Sequence, residues 1–281
     1  MGTRSPPACD PRDRVLGSFT LIDPFLVFSD LDGTLLGHDD YRFDITLPWI
    51  EKVHSVGARV ILATSKTQAE VQVWRERLQL DTPYIVENGS AIVDANGRIE
   101  VLGKPRRFLE QFLHPYAQAV QTLTDLPLDE AVFLTGLSEA DALLAQDRHF
   151  SIPFQLRHPD IEETLRHAAE QAGLRIIKGG RFLHLQGDCD KADAVARIAR
   201  NFEQVDGRRY FRVCLGDSEN DRAMLEAADL PVVVRPGLGE PLKIGNRDTI
   251  YTQASAPQGW CDGIAQAFAL LQKHKESKHG G

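Results

Sequence analysis

Short, unbroken apolar runs punctuate this chain. They are Phe25–Phe28, Arg59–Ala63, Tyr84–Val86, Phe211–Leu215 and Pro231–Val234. Continuous rather than alternating runs of this length predict strands buried on both faces. Between them the spacing changes to threes and fours. Val71, Trp74 and Leu78 predict a helix over 68–79, and Val195, Ile198 and Phe202 predict another over 190–203. Residues 219–228 predict a short Ala-rich helix. Strands that alternate with helices predict a parallel α/β sheet.

The middle of the chain has a different rhythm. Asn96-Gly97 predicts a hairpin turn between AIVDA and RIEVL. A helix is predicted over 106–124, with Phe112, Tyr116, Val120 and Leu123 on one face. Ser138-x-x-Asp141 resembles a capping box and opens a predicted helix over 139–147. A strand is expected at 150–157, then a helix capped by Asp160 with Ile161, Leu165 and Ala169 inward. RIIK and FLHLQ, split by Gly179-Gly180, predict two more strands. The segment reads as an insert of about 105–187 with a small sheet covered by helices. The expected layout is an extension at 1–22, a core from 23–104 and 188–272, the insert at 105–187, and a tail at 273–281.

Composition narrows the class. The 281 residues are 42% hydrophobic and 26% charged, as suits a globular protein of one large or two modest domains. A net charge of −8 argues against nucleic acid or an anionic membrane as the main partner. No apolar run approaches the ~18 residues of a membrane span. MGTRSPPACDPRDR has no apolar stretch of the secretory-signal kind. Cys9, Cys189, Cys214 and Cys261 show no CxxC spacing and read as reduced thiols, which points to the cytoplasm. Oligomeric state is not legible.

Candidate chemistry gathers where predicted core strands end. The run Phe25–Phe28 leads into Asp30-Leu31-Asp32-Gly33-Thr34, Thr64 closes RVILAT, Lys191 opens the helix after the insert, and Gly216-Asp217-Ser218-Glu219-Asn220-Asp221 follows FRVCL. Ligands of open α/β sheets bind beyond the carboxyl ends of strands, so these four elements point to one crevice. Carboxylates crowded at a sheet edge repel one another unless a proton or cation lies between them. A carboxylate nucleophile at Asp30, with Asp217 and Asp221 beside it, suits attack on phosphorus screened by a hard cation, and Mg²⁺ fits best. Asp32 can protonate a leaving alkoxide and also stands among the candidate metal ligands. Thr64 can donate to a phosphoryl oxygen, and Lys191 can stabilise the group in flight. A calcium loop is the rival for DLDGTLLGHDDY, but the alternating ligands and closing Glu are missing.

The set DLDGT, Thr64, Lys191 and GDSEND, in that order, resembles the four motifs of haloacid-dehalogenase-superfamily phosphatases. The resemblance spans about 24–270. It implies a Rossmannoid parallel-sheet core, an inserted α+β cap, an aspartyl-phosphate intermediate and Mg²⁺. Asp32 favours phosphate-ester chemistry, since dehalogenases lack this acid and P-type ATPases carry Thr in its place. TSKT, YIVENGSAIV, LTGLSEADALLAQDRHFSIPF and GGRFLHLQGDCDKADAV are similar to the mannosyl-3-phosphoglycerate phosphatase family. GDCDK departs from the GGNDK-like form before the lysine. The narrower resemblance implies hydrolysis of 2-O-mannosyl-3-phosphoglycerate to mannosylglycerate. Glucosyl-3-phosphoglycerate, sucrose phosphate and a phosphomutase activity stay open as alternatives. A non-catalytic scaffold would lack Asp30, Asp32, Lys191 or Asp217, and all four are present.

The insert is expected to read the non-reacting end of a small sugar phosphate. Lys66, Arg148 and Arg181 are candidate partners for carboxylate or phosphate. Glu87 and Asn88 are candidates for sugar hydroxyls, and Gly180, after Gly179, lets backbone N–H groups approach an anion. His184, between Leu183 and Leu185, reads as a packed or surface imidazole.

Overall fold

A computed structural model describes residues 24–38, 40–179, 181–246 and 248–279, with side chains to residue 272. Gly180 and the expected extension at 1–22 lie outside the described residues. The chain opens with β1 (Phe25–Ser29), buried at every position. Then come α1 (Leu47–Ser55), β2 (Arg59–Leu62) and α2 (Gln68–Arg77). β3 (Tyr84–Val86), β4 (Ala91–Val93) and β5 (Ile99–Val101) form an antiparallel meander. Its Asn96-Gly97 turn is tied by Asp94, which accepts from the N–H groups of Asn96 and Arg98 at 2.8 Å each.

The insert follows as α3 (Arg106–Leu113), β6 (Val120–Thr122), α4 (Leu128–Thr135), α5 (Glu139–Gln146), β7 (Ser151–Leu156), α6 (Glu162–Gln171), β8 (Leu174–Lys178) and β9 (Leu183–Gly187). The chain then returns to the core through α7 (Lys191–Asp206), β10 (Phe211–Gly216), α8 (Arg222–Glu226), β11 (Leu230–Arg235), β12 (Ile250–Ser255) and α9 (Gln258–His279).

The main sheet has the order β12-β11-β10-β1-β2, and every pair is parallel. β3 lies beside β2 through one parallel bridge, Ala63 to Ile85. Alternate residues of β1 enter opposite cores. Phe25 and Val27 pack with Trp49 and Trp260, whereas Leu26 and Phe28 pack with Val195, Ile198 and Met224. Two buried faces explain why the strand reads as an unbroken apolar run.

The insert builds an antiparallel sheet, β6-β7-β9-β8. Its core joins Leu109 and Leu113 of α3 to Phe154, Leu165 and Leu185. A satellite cluster of Leu123, Ala131 and Ala142 ties α4 to α5. The fold is therefore a parallel α/β core carrying a smaller α+β cap. No helix among the described residues is long and apolar enough to cross a membrane.

Several expected elements need correction. The helix expected over 106–124 stops at Leu113, and a 3-10 turn follows at His114–Tyr116. Pro115 cannot donate its N–H, so the α-helical ladder breaks there and the chain extends into β6. Asp160 makes no side-chain capping bond; it lies in a 3-10 turn, Pro159–Ile161, ahead of α6. α1, α4, β12 and α9 were not anticipated. α9 continues to His279, through most of the stretch expected as a tail from 273.

Candidate active site

β1 ends against its neighbour, with the Asp30 N–H donating to the carbonyl of Leu215 at 3.0 Å. The next turn is tight. The N–H groups of Thr34, Leu35 and Leu36 all converge on the carbonyl of Leu31. Gly33 sits at φ 73°, and a Cβ there would lie 2.7 Å from Oδ2 of Asp217. Glycine thus meets two demands at once, a left-handed backbone and close approach of a carboxylate. The Thr34 hydroxyl donates to Oδ1 of the same Asp217 at 2.9 Å.

Beyond β10, Asp221 closes the neighbouring loop on itself. Its Oδ2 accepts from the N–H groups of Asp217 and Ser218 at 3.1 and 3.2 Å. Its Oδ1 accepts from Lys191 Nζ at 2.7 Å, and the same ammonium lies 2.9 Å from Oδ1 of Asp30. Lys191 is fully buried. It begins α7, which is held by a capping box between Asp190 and Asp193. The loop after β3 presses on that helix start, since a Cβ on Gly89 (φ 95°) would fall 2.1 Å from the Asp190 carbonyl oxygen.

One oxygen from each of Asp30, Asp217 and Asp221 lies within 4.8 Å of the others. Burial raises the pKa of Asp30 above the usual carboxylate range, and the Asp221 charge adds to this against the pull of Lys191. Asp217 is raised as well, by burial and then by Asp221 and Asp30. Burial pulls the Lys191 pKa down, but Asp221 and Asp30 more than offset it and leave the value above that of an ordinary lysine. Three carboxylates against one ammonium leave an excess of buried negative charge. An all-oxygen donor set with that excess fits a hard divalent cation, Mg²⁺ among them. The carboxylate of Asp32 does not join this trio.

Asp32 turns instead to the loop after β2. Its Oδ2 lies 2.9 Å from Lys66 Nζ, and among the described residues its buried Oδ1 has no hydrogen-bond partner. Lys66 also reaches Glu70 at 3.4 Å and lies 5.4 Å from the ring centre of Tyr41. Burial opposes the Lys66 charge, but Asp32 and Glu70 outweigh it and raise its pKa. Thr64 is fully buried, and its hydroxyl oxygen accepts from the Lys66 N–H at 3.2 Å. Among the described residues nothing accepts its own proton. Thr67 and Glu70 form a capping box that starts α2 and fixes this loop.

The residues expected to read the substrate's far end divide. Lys66 lies beside Asp32, as described. Asn88 comes close to the Gly216–Asp221 loop, accepting from Asn220 Nδ2 at 3.2 Å. Glu87 and Arg148 are engaged elsewhere. Glu87 is buried, and its two oxygens accept from the N–H of His149 (2.9 Å), the N–H of Phe150 (3.1 Å) and the hydroxyl of Ser151 (2.6 Å). Arg148 is also buried, and it donates to the carbonyls of Ala145 and Ser65 and to Ser151. Together they brace the entry to β7 against two core loops, so the side chains expected to face ligand are held by protein partners at these atoms. Arg181 donates to the Thr135 carbonyl within the cap.

Three site features were not anticipated. Glu70 and Thr34 hold Lys66 and Asp217 in place. Thr67-x-x-Glu70 has the capping-box spacing, so Glu70 had a sequence signal. Tyr41 has φ 51° and stacks at 6.1 Å on Trp74. Nothing local in sequence marks a tyrosine for a left-handed backbone. His184 is buried, and its Nδ1 has no partner among the described residues, as in a packed imidazole.

A sequence profile described as haloacid dehalogenase-like hydrolase matches residues 27–104. The chain is 33% identical over 266 residues to the glucosyl-3-phosphoglycerate/mannosyl-3-phosphoglycerate phosphatase of Persephonella marina, across 88% of this chain and 98% of that protein. Among solved structures, Thermoplasma acidophilum 0175 superposes with a TM-score of 0.65 at 20% identity, covering 88% of this chain and 98% of that one. BT1666 from Bacteroides thetaiotaomicron, a haloalkanoate-dehalogenase-superfamily phosphatase, also gives 0.65, at 15% identity with 92% and 99% coverage. The chain belongs to the haloacid dehalogenase superfamily, among its phosphatases.

Proposed function

We propose that the protein is a Mg²⁺-dependent phosphomonoesterase that hydrolyses 2-O-mannosyl-3-phosphoglycerate to mannosylglycerate and phosphate. The observation that carries the chemistry is the buried Asp30–Lys191–Asp221 arrangement with Asp217 beside it. The substrate class is supported by end-to-end likeness to a relative whose name carries both the glucosyl and the mannosyl ester. For that reason glucosyl-3-phosphoglycerate is the second reading.

In this account a carboxylate oxygen of Asp30 attacks phosphorus. The P–O ester bond breaks, and its electron pair leaves with the alkoxide. Asp32 delivers a proton to that alkoxide, from a position fixed by Lys66 and with an oxygen that no group among the described residues occupies. Asp32 then takes a proton from the water that attacks the phosphoryl group, and Asp30 is released unchanged. Lys191 offsets charge at Asp30 through both half-reactions, and Thr64 offers its hydroxyl proton to a phosphoryl oxygen. Mg²⁺ held by Asp30, Asp217 and Asp221 would screen the repulsion between carboxylate and phosphate. The cap, taken as 105–187, closes over substrate to exclude water and reopens to release product. The place of work is the cytoplasm, in keeping with the buried thiols of Cys189 and Cys214.

The test is phosphate release from mannosyl-, glucosyl- and unglycosylated 3-phosphoglycerate and from sucrose phosphate, with Mg²⁺ and after chelation. The highest kcat/KM is expected on the mannosyl ester, with glucosyl next. Preference for sucrose phosphate would replace the substrate assignment. Phosphoryl exchange between sugars without release would point to a mutase.

A further inference from the structure

A cleft of about 220 Å³ runs between α2 and α5, and of its lining the chemistry above uses only Lys66, with Glu70 and Tyr41 against it. One wall is Lys66, just ahead of α2, and the α2 stripe of Glu70, Val73, Trp74 and Arg77, which is spaced to share a helix face. The facing wall is cap, with Leu137, Asp141 and Leu144. The Thr67 hydroxyl donates to the Leu144 carbonyl at 2.8 Å and pins the two walls at the inner end. That inner end is Lys66, whose ammonium is 2.9 Å from Asp32. The cleft therefore starts where an alkoxide would leave the phosphoryl group. It runs outward along α2 to Arg77, about 14 Å from Gln68 at 1.5 Å per residue.

Its lining is amphipathic. Val73, Leu137 and Leu144 are apolar, while Tyr41, Asp141, Lys66 and Arg77 supply donors and acceptors. The Arg77 guanidinium is placed 4.8 Å from the Trp74 ring centre, and among the described residues no carboxylate pairs with it. The Tyr41 ring is clasped between Lys66 and Trp74 at a φ of 51°, a backbone state that costs a bulky residue energy and persists at functional sites when its surroundings enforce it. At ~30 Å³ per water, the cleft holds about seven waters, the size class of one hexose ring. A sugar ring presents apolar C–H patches and a rim of hydroxyls, which is the chemistry this lining complements.

We propose, resting on the phosphatase reading above, that this cleft receives the hexosyl group of a glycosylated phosphoglycerate. Val73, Arg77 and Asp141 then determine specificity for the sugar-bearing substrate. The glycosyl oxygen on C2 of such a substrate is next to the C3 phosphate ester, so a ring attached there enters at the Lys66 end.

The experiment measures kcat/KM on mannosyl-3-phosphoglycerate and on bare 3-phosphoglycerate for wild type, Val73→Trp and Arg77→Ala. Val73→Trp fills the cleft from a half-buried position. Arg77→Ala removes an exposed side chain and so guards against misfolding as the cause. The ratio of the two kcat/KM values is expected to fall about 10-fold or more in Val73→Trp, carried by KM, and about 3-fold in Arg77→Ala. A ratio unchanged in both variants, or equal losses on both substrates, would overturn the cleft assignment while leaving the phosphatase reading intact. A wild type that prefers the bare phosphate would overturn the substrate reading, and the cleft assignment with it.

Discussion

Replacing Glu87 by glutamine separates bracing from substrate binding. In the native protein Oε1 accepts from the His149 N–H, and Oε2 accepts from the Phe150 N–H and the Ser151 hydroxyl. A glutamine has one acceptor oxygen. If that oxygen takes the place of Oε2, its NH₂ group faces the His149 N–H, and two donors meet with no acceptor between them. A buried unpaired donor costs about 1–3 kcal/mol, and the two bonds that remain lose the strength of a charged acceptor. The expected loss is about 3 kcal/mol, or roughly 6–12 °C in Tm at the ~2–4 °C per kcal/mol of a chain this size. The assay is thermal and urea unfolding of wild type and Glu87→Gln, with KM measured on the same preparations. A variant with wild-type Tm and a KM raised 10-fold would refute the bracing role and return Glu87 to the substrate.

The remaining predictions concern acid, turn geometry and metal. Burial, with help from Arg148, lowers the His184 pKa to about 3, so the unfolded chain binds the extra proton between about pH 6.5 and pH 3. Stability from this residue is complete above pH 6.5 and is lost on acidification, by about 2 kcal/mol at pH 5; His184→Leu should flatten that part of the stability curve, and parallel curves would disprove a buried neutral imidazole. Gly33→Ala puts a Cβ against Asp217 at a left-handed φ, so a loss of about 1–3 kcal/mol and weaker Mg²⁺ binding by calorimetry are expected; wild-type affinity would remove Gly33 from the site. Chelation should abolish phosphate release and Mg²⁺ should restore it, whereas full activity in thoroughly chelated protein would exclude the metal assignment.

The parallel core was legible because its strands are short, continuous apolar runs with both faces buried, as Leu26 and Val27 illustrate by entering opposite cores. The charged centre was legible too, since Asp30, Lys191 and Asp217 each sit at a strand end or helix start that the pattern marks. The cap was harder. Val120–Thr122 is a three-residue strand defined by its pairing with β7, and a helical period over 106–124 masks it. Pro115 was the local warning. The bracing bonds of Glu87, and the one from Arg148 to Ser65, were not legible because these partners lie about sixty and eighty residues away. Buried polar side chains are held by such distant contacts, and no local spacing records them. Asp32 could be assigned to a metal or to an acid from sequence. In the structure its carboxylate stands apart from the Asp30, Asp217 and Asp221 oxygens and faces Lys66 at 2.9 Å.

The account stands on Asp30 as the group that carries the phosphoryl. Acid quench during steady turnover of mannosyl-3-phosphoglycerate, followed by peptide mapping by mass spectrometry, reads this directly. One phosphoryl group on the peptide containing Asp30, absent in Asp30→Asn together with phosphate release, is the predicted result. Undiminished turnover in Asp30→Asn, or a phosphoryl group trapped on a different side chain, would contradict it.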